Sequence, residues 1–123
     1  MRLHAKARCS NNRGYLNKLR NSIYSDAVDH GLWDDECRLD AAHRIRDEIE
    51  ELIDAVGDLD HYTEELADVI IMALSTAGYL DIDIHGAVMR KMSINAARPY
   101  RHESELCDCD PDCRFDMWEV DNE

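Results

Sequence analysis

The chain has 123 residues, 27 acidic against 14 basic side chains, a net charge of −13, and only 5 glycines and 2 prolines, which favours one main helical domain with a modest core. The acidic excess argues against a broad electrostatic footprint for nucleic acid or an anionic membrane, so no stable nucleic-acid binding is expected, while a small anionic substrate stays open if a cation mediates. No stretch approaches the roughly 20 apolar residues of a membrane span and the start, MRLHAKARCSNNR, lacks a signal-peptide core, so the expectation is a cytoplasmic protein with no membrane partner.

Residues 1–13 are basic and aperiodic and read as a flexible arm. A first helix is expected over residues 15–30, where Tyr15, Leu16, Leu19, Ile23, Ala27 and Val28 recur at helical spacing and Gly31 is the stop. The linker GLWDDECRLD carries Trp33 and leads to a second helix over residues 40–56, with Asp40 as N-cap and Gly57 as stop. After the polar turn GDLDH, a third helix over residues 62–79 is apolar on most sides and is expected to be the most buried. Asp83 is placed to cap a fourth helix over residues 84–97, which Pro99 ends by restricting Arg98. No strand shows convincing alternation. The expected fold is therefore all-α, a four-helix bundle within residues 14–102, followed by an acidic, cysteine-containing tail at 103–123.

Cys107, Cys109 and Cys113 cluster in that tail, and with His102 they spell H-x4-C-x-C-x3-C, four potential zinc ligands. The C-x-C spacing is not the usual C-x2-C, and there is no second knuckle. Reduced thiols in an Asp-rich tail are the preferred reading.

The acidic residues of the second and third helices raise a sharper question. Projected at about 100° per residue, Ala41, Ile45, Ile49, Leu52 and Val56 form the apolar face of the second helix, with Glu48 inside its margin and Glu51 at its edge. Asp47, Glu50 and Asp54 point to the solvated side. On the third helix Glu65 and Asp68 share a side with Met72, Thr76 and Tyr79, and Asp68 is flanked by Ala67, Ile71 and Met72. An ionised carboxylate against hydrocarbon needs compensation. With a short connection packing the two helices antiparallel, the four carboxylates converge. Four hard oxygen donors suit Mg2+, with Mn2+ as a substitute, and a bound ion of this kind commonly bridges to substrate phosphates. A di-iron bundle is the close competitor, but it needs Glu-x-x-His, which no helix offers. On the fourth helix Lys91 and Asn95 lie one turn apart with Arg98 just beyond. They are donors suited to polyphosphate oxygens, or else a snorkelling lysine and a helix-end asparagine.

With these residues in place, the sequence resembles the MazG-type all-α nucleoside triphosphate pyrophosphohydrolases, in particular their small single-domain phage and bacterial members. Glu48-x-x-Glu51 and Glu65-x-x-Asp68, within EELADVI, match the E-x-x-E, spacer, E-x-x-D motif, and HGLWDD and KMSINAARPYRH resemble the flanking segments of that subgroup. The resemblance covers about residues 15–102. It departs after His102, where a Gly-Gly-Lys ending is expected and ESELCDCDPDC stands. The resemblance implies hydrolysis of a nucleoside triphosphate, with a deoxynucleotide favoured, to its monophosphate and pyrophosphate. It implies that Glu48, Glu51, Glu65 and Asp68 hold Mg2+, that Glu48 or Glu51 accepts a proton from water, and that Lys91, Asn95 and Arg98 meet the phosphates. Trp33 would stack on the base or plug the core. A homodimer or homotetramer is expected, both from the resemblance and because a third helix apolar nearly all round is hard for one small chain to cover. The competing reading is a non-enzymatic acidic helical interaction protein, such as a nucleic-acid mimic, with its carboxylates spread along an exposed face.

Overall fold

A computed structural model describes residues 12–99, and the notable residues of the tail, His102, Cys107, Cys109 and Cys113, lie outside the described residues. Four helices follow in order, α1 (Tyr15–Asp29), α2 (Arg38–Asp54), α3 (Leu59–Tyr79) and α4 (Ile84–Ala96), with no strand among the described residues. The chain divides into two compact units, the first ending at Met92 and the second beginning at Ser93, so the division falls within α4.

The ends of the helices follow their local chemistry. Gly31, at φ +81°, ends α1 with paired bonds in which Leu32 N–H donates to Ala27 O and Gly31 N–H to Val28 O, both at 2.9 Å. The end of α3 is built the same way, from Ile82 N–H to Ala77 O and Asp81 N–H to Gly78 O, but the left-handed position is held by Asp81 at φ +55°. Two starts differ from the sequence expectation. The N-cap of α2 is Cys37, and Asp40 works from inside the first turn, accepting from Cys37 N–H at 3.1 Å. That bond is the main reason the Asp40 carboxyl titrates below its ordinary value. Helix α3 begins at Leu59 because Asp58 accepts from the N–H groups of Asp60 and His61, which brings DLDH into helix. Asp83 does cap α4, accepting from Gly86 N–H at 3.0 Å.

Helix α3 packs against both α1 and α2. The core gathers Tyr24, Trp33 and Ala41, with Ala27, Val28, Leu32, Met72 and Tyr79 packed around them. Trp33 stacks on Tyr79 with ring centroids 4.5 Å apart, its indole N–H donates to Ser75 Oγ at 2.6 Å, and Tyr79 Oη–H donates to Glu36 O at 2.7 Å. The linker that carries Trp33 is thus pinned to α3. Two buried polar side chains fasten the start of α1 to the start of α4. Asn17 donates to Asp83 Oδ1 at 2.8 Å and accepts from His85 N–H at 3.0 Å, while Arg20 donates to Ile82 O at 2.6 Å.

The expected burial of α3 holds for its C-terminal half, where Leu74, Ser75, Ala77 and Gly78 are buried. Toward its N-terminus Leu66, Ile70 and Ile71 are exposed, as are Ile49, Ile53 and Val56 on α2. Helix α4 has no buried residue. Among the described residues the apolar side chains of α2 and of the N-terminal half of α3 are left exposed along this stretch.

Candidate functional site

The turn between α2 and α3 takes only residues 55–58, so α3 returns alongside α2 and sets the two acidic motifs side by side. One carboxylate oxygen from each of Glu48, Glu65 and Asp68 lies within 4.8 Å of the others. Glu51 stands outside this trio yet is felt by it. Partial burial, then the like charges of Glu51, Asp68, Glu65 and Asp47, push the Glu48 carboxyl above its ordinary value.

The three members are not equally buried. Asp68, expected against hydrocarbon, is exposed, as is Ile71 on the same turn, and no described residue buries that side of α3. Glu65 is the enclosed one, with 14% of its side chain exposed. Its Oε1 accepts from His61 Nε2 at 3.1 Å, while its Oε2 is buried and accepts no hydrogen bond from the protein. His61 was missed in the sequence because DLDH reads as a turn. With Asp58 taken as the N-cap, His61 falls one helical turn before Glu65, a spacing that brings the two side chains together.

The donor set fits a small divalent cation on two counts. Three hard oxygen donors converge from two neighbouring helices, and one of them keeps a buried oxygen without a partner, an arrangement that is costly unless a positive charge satisfies it.

The remaining expected site residues lie in the linker before α2, on α4 and just beyond it. Lys91 is exposed on α4, and the groups that perturb Glu48 are all carboxylates. Asn95, half-buried, and Arg98, exposed, belong to the second unit, where Arg98 N–H donates to Asn95 O at 3.1 Å. Trp33 is only 4% exposed, with Tyr79 on its ring and the Arg44 guanidinium 5.7 Å from its centroid. It is a core residue here and offers no open face to a base, because its neighbours already fill the space on which a base would stack.

No protein-family model matches the chain, and no solved structure matches it. Among curated proteins, the chain is 40% identical over 57 residues to a dATP/dGTP diphosphohydrolase of Cyanophage S-2L, a stretch that makes up 46% of this chain and 52% of that protein. The match therefore spans about half the length of that relative. Over this part the chain is similar to a nucleotide-hydrolysing protein, which supports a nucleotide pyrophosphohydrolase-like family in general and not the MazG type in particular.

Proposed function

We propose that this chain is a Mg2+-dependent pyrophosphohydrolase that converts a (d)NTP to the (d)NMP and pyrophosphate, with Mn2+ as a substitute metal. The observation that carries the proposal is the convergence of Glu48, Glu65 and Asp68 from two helices. The partial likeness to a protein named for dATP and dGTP supports the substrate class.

Glu48, Glu65 and Asp68 would hold the cation, with Glu51 at the edge of the group. When bound, the ion neutralises phosphate charge and lowers the pKa of the attacking water. Water adds across the α–β phosphoanhydride bond. Its oxygen bonds to phosphorus, the bridging P–O bond breaks, and pyrophosphate or the monophosphate departs with the electron pair. Glu48 or Glu51 takes the proton. Lys91, Asn95 and Arg98 are assigned as donors to phosphate oxygens. Trp33 is assigned to the core. The active unit is a homodimer or homotetramer, a reading supported by the exposed Ile49, Ile53, Leu66 and Ile70.

The test is a panel of NTPs and dNTPs assayed for released pyrophosphate with Mg2+, with Mn2+ and with EDTA. Metal-dependent release that Asp68→Asn abolishes in a folded protein is expected. Release that survives EDTA, or full activity in Asp68→Asn, overturns the assignment.

A further inference from the structure

We infer that His61 is a positioning residue for Glu65: its Nε2–H holds Oε1 and so presents Oε2 to the bound cation. The inference rests on the metal reading given above. A glutamate carries three rotatable bonds, so a lone Glu65 would spread over several rotamers. The carboxylate can only accept, so in the 3.1 Å contact His61 Nε2 is the donor. With Oε1 occupied in this way, Oε2 is the oxygen left over, buried and without a partner in the protein.

As an ion pair the contact would add little to stability, because His61 is 52% exposed. Its placement gives it another use. Carboxylates that ligate metals are commonly fixed by an outer hydrogen bond, and loss of such a partner typically weakens metal affinity about 10–100-fold. His61 itself is held in register by Asp58, which caps the turn through the His61 N–H. The chain from cap to imidazole to carboxylate is therefore built within two turns of α3, independent of any other helix.

The experiment is Mn2+ titration of the metal-free full chain, reading free Mn2+ by electron paramagnetic resonance with no nucleotide present. His61→Ala is expected to weaken binding about 10–100-fold with helical circular dichroism unchanged, and His61→Gln, which keeps an N–H donor at similar reach, to restore most of it. Wild-type affinity in His61→Ala overturns this inference and leaves the metal reading standing. A loss that His61→Gln does not restore overturns the hydrogen bond as the cause. Failure of the wild-type chain to bind Mn2+ overturns the metal reading, and this inference with it.

Discussion

Gly78 of α3 meets Tyr24 of α1 so closely that a Cβ on the glycine would lie 2.5 Å from Tyr24 Cβ and 2.8 Å from Cγ. Those atoms sit at the root of the tyrosine, so no swing of a flexible end relieves the clash and the helices themselves would have to part. Gly78→Ala should therefore destabilise the chain although alanine is the better helix former. We expect a net loss of up to about 2 kcal/mol, overpacking of roughly 1–3 less the propensity gain of about 1. Denaturant unfolding checks this, and a more stable variant would show that the α1–α3 contact yields freely.

Asp81 gives the opposite expectation. It occupies the left-handed position after α3 that Gly31 fills after α1. Asp81→Gly should stabilise by roughly 0.5–1 kcal/mol by removing the Cβ penalty, with no change in activity. A scanning calorimetry Tm that falls would mean that the Asp81 side chain contributes a bond worth more than the strain.

Glu48 links acidity to stability. Its carboxyl titrates above its ordinary value of 4.5 because of burial and then its acidic neighbours, so the folded state holds the proton more tightly than the unfolded one. Stability without metal should thus fall as pH rises from the ordinary value through the raised one. Glu48→Gln should be the more stable protein at neutral pH without divalent cations and should lack the stabilisation expected of Mg2+ in the wild type. Thermal melts with and without Mg2+ separate these effects, and a Mg2+ response equal to wild type would remove Glu48 from the site.

Asp83 has the reverse sign. Bonds from Asn17 and then from Gly86 N–H hold its carboxyl below its ordinary value of 3.8. Its contribution is present above that value and is lost as pH falls through the lowered one. Asp83→Asn should be less stable than wild type at pH 7, with the gap narrowing only as pH falls below the ordinary value of 3.8. A gap independent of pH would show that the charge of Asp83 does not matter to the clasp between α1 and α4.

Periodicity and caps made the four helices and their order legible in the sequence, and the i, i+3 acidic pairs made the approach of Glu48, Glu65 and Asp68 legible. Helix starts were read less well: Asp40 was taken as the N-cap where Cys37 holds that position, and a start at Tyr62 falls three residues after the start at Leu59 that Asp58 sets. Burial was the weaker inference. A wheel shows that Ile49, Ile70 and the flank of Asp68 are apolar, but not whether anything covers them, and among the described residues nothing does. Trp33 was ambiguous for a related reason: only the spatial neighbours Tyr79 and Ser75 decide that the ring is filled space.

The short turn between α2 and α3 also bears on the order in which the chain acquires structure. Closing it costs little loop entropy, whereas the Asn17 to Asp83 and His85 clasp must join groups 66 and 68 positions apart. The helical hairpin should therefore form ahead of the clasp, and it brings Glu48 against Glu65 and Asp68 while the rest of the chain is still open. Mutual repulsion then belongs to the climb toward the folding barrier rather than to the descent from it. Added salt should accordingly speed refolding more than it slows unfolding.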